Sequence, residues 1–233
     1  MKPLLLDNQD TTTLAELGRA SLQIVHDLKN QINGLKLYAT FLRKRMERSE
    51  RPQDEQETVT KLISGLDRAA GDMTTLVRLG RPIQLRRSRV DLSRILSDVL
   101  RNIPDFNASD TTFTVEAGAE TLHGDFDAQA LSEALKAVTE GAVSLARIRG
   151  EASPLSIHLR HESGDDASAV IEWRGVMIND GADPFHSLNG SAGLRLALAA
   201  KIIEAHGGAT DQEPDKLRVH LKLLSGNVSM AAS

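Results

Sequence analysis

Residues 14–46 read LAELGRASLQIVHDLKNQINGLKLYATFLRKRM, and the spacing of their apolar side chains decides the first part of the fold. Leu14, Leu28, Leu35 and Leu42 share one heptad row, with Leu17, Ile24 and Tyr38 on another. Such rows lay an apolar seam along a helix. Val25, Ile32, Ala39 and Met46 add a third row, which makes the stripe wider than a two-stranded seam needs and suits a four-helix bundle. A long helix over about 13–48 is predicted, closed at Pro52.

A second helix is predicted over about 54–79, where Val59, Leu62, Leu66, Ala69, Met73 and Leu76 repeat the pattern beside Ile63, Ala70 and Val77. Two helices form a hairpin but cannot cover stripes this wide. Pairing with a second copy would bury them, so a homodimer and a symmetric four-helix bundle are expected.

Beyond Gly80-Arg81-Pro82 the texture changes to strands alternating with helices. Helices are predicted at about 91–102, 127–147 and 192–206, the second opened by Asp127 as N-cap and the third stopped by Gly207-Gly208. Strands are predicted at about 111–117, 121–125, 155–162 and 168–174, with a last one through Leu217, Val219, Leu221 and Leu223. The whole reads as α+β. The expected domains are a helical hairpin at 1–85, an α/β domain at 86–225 and a tail at 226–233.

Bulk properties narrow the function. The 233 residues include no cysteine, which excludes a disulfide framework, thiolate metal sites and a cysteine nucleophile, and makes the cytoplasm the default compartment. No apolar run is long enough for a membrane span, and no signal peptide is read at the start. A net charge of −4 and 3% aromatic residues argue against nucleic-acid binding. The arginines between Arg78 and Arg89 read as a solvated stretch at a domain junction. The seven histidines are scattered, and no metal site is expected.

One histidine stands apart by its neighbours. His26 lies two residues before Leu28, on the outward side of the helix. Asp27 can keep one imidazole nitrogen protonated and leave the other as a nucleophile. Asn30 lies one turn on and could place a water in line with a phosphorylated histidine, while Lys29 could neutralise phosphoryl charge.

The run His26-Asp27-Leu28-Lys29-Asn30 resembles the H-box of bacterial two-component histidine kinases, with Gln31 where that family usually has proline. The hairpin resembles their dimerisation and phosphotransfer domain, and Met73, Leu79, Arg81-Pro82 and Val90-Asp91-Leu92 resemble the second helix and linker. Asp127-Ala128-Gln129 through Ala142 is similar to the helix carrying the family's N-box. Gly190 to Ala197 is similar to its late glycine box, and Ile202 to Gly208 continues the match. The implied fold for the second domain is the α/β sandwich that binds ATP in such kinases.

The same alignment shows departures. The N-box asparagines, one of which coordinates magnesium, correspond to Ala137 and Gly141, which offer no side-chain ligand. Where the adenine-reading aspartate is due stands Arg174-Gly175-Val176, with Asp180 in Asn179-Asp180-Gly181 as a displaced candidate. Arg195 replaces a glycine of the late box, and the lid is short and glycine-poor.

Three functions follow as expectations. The first is a dimeric, ATP-independent phosphotransferase or pseudokinase that exchanges a phosphoryl group between His26 and response-regulator receiver aspartates. It needs no cofactor. The second is a working soluble kinase, in which ATP and magnesium would be held by Glu140, Asp180, Gly190 and Gly193. The third is a non-catalytic dimeric scaffold. His206 reads as a helix-end residue and not as a ligand.

Overall fold

The computed structural model describes residues 8–47, 52–103, 112–116, 122–147, 155–162, 167–178 and 183–224. The chain divides into two compact units, residues 1–82 and 83–233. The tail expected at 226–233 lies outside the described residues.

The first unit is a helical hairpin of α1 (Asn8–Glu47) and α2 (Gln53–Leu79). Pro52, expected to close α1, stands as the residue before α2, with φ −53° and ψ 144°. Its fixed φ and missing N–H suit a helix start, where no intrahelical acceptor would be served. The helices run antiparallel: Lys36 Nζ meets Asp67 Oδ1 at 2.5 Å, and Leu22 packs against Gly80.

The row that faces α2 within the hairpin is the third one. Ala39 is buried at 3% exposure, and Val25, Ile32 and Met46 are half-buried. Leu28, Leu35 and Leu42, together with Ile24, Tyr38, Leu37, Phe41 and Leu62, are 42–68% exposed. The expected seam rows are thus the outer surface of a single hairpin.

The second unit begins with β1 (Ser88–Asp91) and α3 (Leu92–Arg101), whose Leu92, Ile95, Leu96, Val99 and Leu100 are buried at helical spacing. Asp91 caps α3, its carboxylate accepting from Ser93 N at 2.9 Å. There follow β2 (Thr112–Glu116), β3 (His123–Phe126), α4 (Ala128–Arg147), β4 (Ser156–Glu162), β5 (Ser168–Arg174), α5 (Gly190–Ala205), β6 (Ala209–Glu213) and β7 (Lys216–Lys222). β1 and β3 pair antiparallel in a two-stranded sheet. The main sheet has the order β2-β4-β5-β7-β6, with β2 parallel to β4 and the remaining pairs antiparallel.

Register sorts the sheet into two faces. The rows Ile157–Trp173–Leu217 and Leu159–Ile171–Val219 are fully buried. This face packs on helices, since Trp173 Nε1 donates to Thr139 Oγ1 of α4 at 3.0 Å. The other face carries His158–Glu172–Arg218 and Ser156–Arg174–Lys216. Glu172 is 2% exposed and binds Arg160, Arg174 and Arg218. Burial pushes its carboxyl up, but the hydrogen bonds from Arg174 and Arg218 outweigh this and hold it below the usual range.

β1 and β6 were not anticipated. Ser88-Arg89-Val90-Asp91 is short and charged, and Ala209-Thr210-Asp211-Gln212-Glu213 is a polar edge strand. Backbone pairing makes both, and neither carries the alternation that marks a half-buried strand. α5 starts at Gly190, two residues before the expected 192, and ends in a Schellman motif: Gly208 N donates to Ile203 O, Gly207 N to Glu204 O, and Gly207 has φ +77°.

Candidate functional site

His26 sits in the middle of α1 with its side chain 52% exposed. Its Nδ1 lies 3.6 Å from Asp27 Oδ1 and 3.4 Å from Asn30 Nδ2. Asp27 is itself held by Gln23, whose Nε2 donates to Asp27 Oδ1 at 3.0 Å across one helical turn. Both neighbours therefore address Nδ1. The carboxylate favours a proton on Nδ1, which would leave Nε2 as the nucleophilic nitrogen, whereas the Asn30 amide nitrogen faces Nδ1 as a donor suited to the other tautomer.

A hollow of about 520 Å³ opens beside the ring, lined by Leu22, Gln23, His26, Gly80 and Arg81. The sequence reading placed His26, Asp27, Lys29 and Asn30 together, and three of them meet. Asn30 engages Nδ1 and not a position in line with Nε2. Lys29 is half-buried on the same helix and does not line the hollow. Sequence reasoning missed Gln23, which its spacing four residues before Asp27 could have flagged. It also missed Arg81, which reaches the site only because α2 folds back on α1.

The second unit has a separate cavity of about 310 Å³ between α4 and the start of α5, lined among others by Gly141, Ser144, Met177, Asp183, Asn189 and Gly193. This is where the resemblance places a nucleotide. A Cβ added at Gly141 would stand 2.8 Å from Leu196 Cδ2, so an apolar side chain occupies the space beside the N-box position. Gly193 lies against the Ser187 carbonyl, 2.8 Å from where its own Cβ would be. Gly190 opens α5 at φ +69° outside the cavity lining.

Glu140 points elsewhere: it pairs with Lys136 at 3.9 Å and does not line the cavity. Asp180 lies outside the described residues. Asp183 is the one carboxylate among the described lining residues, and it is engaged by Phe185 N at 2.9 Å and His186 Nδ1 at 2.6 Å. No lysine or arginine lines the cavity among the described residues. Arg195, which stands where the late box has a glycine, is an exposed residue of α5 outside it. Among the described residues no cluster of three potential metal ligands occurs. With the Asn189 amide and the engaged Asp183 carboxylate but no cation, the described lining is a poor fit to magnesium-bound ATP, whose triphosphate calls for cationic partners.

His206 closes α5 as expected. It is 3% exposed, its Nδ1 faces the Ile202 carbonyl at 2.8 Å, and its Nε2 accepts from Asp127 N at 3.1 Å. Burial pushes its imidazole below the ordinary range, against the opposing pull of the Ile202 carbonyl.

No family model matches the sequence. The chain is 24% identical over 210 residues to the sensor histidine kinase ZraS of Klebsiella oxytoca, a match covering 86% of this chain and 44% of that protein. Among solved structures, full-length ShkA in complex with AMPPNP superposes with a TM-score of 0.64 at 17% identity, covering 88% of this chain and 46% of ShkA. The Acinetobacter baumannii histidine kinase AdeS gives 0.52 at 16% identity over 82% and 96%. The sequence is thus similar to a sensor histidine kinase, and the fold is shared with ShkA and AdeS. It spans less than half the length of ZraS and ShkA. Among the described residues no helix is long and apolar enough to cross a membrane.

Proposed function

We propose that this chain is a dimeric histidine phosphotransferase of two-component signalling, which exchanges a phosphoryl group between His26 and the aspartate of a response-regulator receiver domain without using ATP. The observation that carries the reading is the geometry at His26, a half-exposed imidazole in mid-helix whose Nδ1 is met by the Asp27 carboxylate. In transfer from a receiver, Nε2 attacks phosphorus, the Nε2–P bond forms, and the P–O bond of the acyl phosphate breaks. The aspartate carboxylate leaves with the electron pair, and the Nδ1 proton stays stabilised by Asp27. The reverse path returns the group to the receiver.

Two further features support this reading. The exposed rows of Leu28, Leu35 and Leu42 with Ile24 and Tyr38 form an apolar surface that a second copy would cover in a four-helix bundle. Among the described residues, the lining of the cavity in the second unit includes no lysine or arginine to meet a triphosphate. The second unit then acts as a docking surface for the receiver.

The test is calorimetry of the purified protein with an ATP analogue and magnesium, followed by incubation with a phosphorylated receiver. The expected result is no binding heat and label appearing on His26. Magnesium-dependent labelling from ATP that disappears in His26→Ala would instead establish a working kinase.

A further inference from the structure

We infer that Arg81 is the anion-binding residue for the phosphoryl group on His26, reaching it from the end of the other helix of the hairpin. The inference rests on His26 as the phosphoryl acceptor and names the group that receives the charge there.

His26 and Arg81 line the same 520 Å³ hollow, with Leu22, Gln23 and Gly80 completing it. That volume holds a phosphoryl group with several waters, each needing about 30 Å³. Without a cation the place is hostile to an anion. Asp27 stands beside the ring, and the C-terminal end of α2, the negative end of its dipole, lies here. A guanidinium offsets both, and its planar fork matches phosphate oxygens better than an ammonium does.

The backbone fixes where this guanidinium starts. Gly80 N donates to Leu76 O at 3.1 Å and Arg81 N to Arg78 O at 3.2 Å, so the turn after α2 is held. A Cβ at Gly80 would come within 2.6 Å of Leu22 Cδ2, so the turn after α2 lies close against α1 one turn before His26. Lys29 shares a helix with His26 but lies outside the hollow.

The experiment loads the full chain with phosphoramidate, a small donor that needs no partner protein. Nε2 forms its bond to phosphorus, the donor P–N bond breaks, and ammonia leaves with the electron pair and a proton. The rate of His26 phosphorylation is read by mass spectrometry for wild type, Arg81→Ala, Arg81→Lys and the remote control Arg68→Ala. Arg81→Ala is expected to slow loading by about tenfold, the scale of one partly exposed charge-assisted contact. Arg81→Lys should recover part of it, Arg68→Ala should match wild type, and the effect should shrink as salt is raised.

Equal rates for wild type and Arg81→Ala, with His26→Ala inert, would overturn the role of Arg81 and leave the acceptor histidine standing. A slow Arg81→Ala with lost helical circular dichroism and no recovery in Arg81→Lys would make the residue structural and likewise overturn it. No loading of His26 in wild type would overturn the phosphotransferase reading itself.

Discussion

The hairpin and the sheet unit satisfy their apolar side chains in opposite ways. In the sheet unit Trp173, Ile157, Leu159, Ile171 and Ile203 are completely buried within one chain. In the hairpin only Ala39 and Ile63 are buried hydrophobic residues among those described, while Leu35, Phe41 and Leu42 are more than half exposed. One unit carries its own core, and the other keeps its core material on the surface. In the dimer proposed above, stability of the hairpin would depend on protein concentration, whereas the sheet unit carries its core within one chain.

The largest effect should come from putting charge on the exposed rows. Leu35→Asp with Leu42→Asp is expected to weaken self-association by more than about a hundredfold, since unpaired carboxylates would have to be buried at the seam. Sedimentation velocity over a concentration series reads this. A variant that stays dimeric would show that these rows are not the interface and would break the comparison.

Next comes Trp173→Ala, which should cost the sheet unit about 3–5 kcal/mol through the cavity it leaves and strand Thr139 Oγ1 without its indole donor. Hydrogen exchange resolved by segment should show β5 and β7 losing protection, with α1 and α2 unchanged. Loss of protection in the hairpin as well would mean that the two units do not keep separate stabilities.

A smaller effect is expected where His206 joins α5 to Asp127. The buried imidazole has its proton affinity lowered, so the folded state binds fewer protons than the unfolded one below the ordinary imidazole value. Its contribution is present in full above about pH 6.5 and is lost as pH falls through the depressed folded value. Urea midpoints of the sheet unit should decline over that acid range in wild type, and His206→Gln should flatten the decline. An unchanged slope would assign the acid sensitivity to another group, such as the Asp127 carboxyl. That carboxyl is held low chiefly by the Ala130 N–H, and Arg86 N and Gln129 N also donate to it.

Much of the fold was legible because its signals are local. The heptad rows of α1, the Asp127 cap and the Gly207-Gly208 stop each lie within a few residues of the structure they specify. β1 and β6 were not legible, because their polar side chains carry no alternation and they exist through pairing with distant strands. At the candidate site the cluster of His26, Asp27 and Asn30 could be read from one turn of helix. Arg81 could not, because it lies just past the end of another helix.

The sequence by itself determined the helical hairpin, the order of nearly all elements in the second unit and the identity of the candidate histidine, since periodicity and capping act over one or two turns. Only the tertiary structure decided that the Ala39 row faces α2 while the leucine rows face outward, and that the sheet runs β2-β4-β5-β7-β6. It alone placed Glu172 among Arg160, Arg174 and Arg218, and Leu196 against Gly141. These arrangements join residues far apart in the chain, and which of several similar apolar or charged partners meet is set by packing all of them at once.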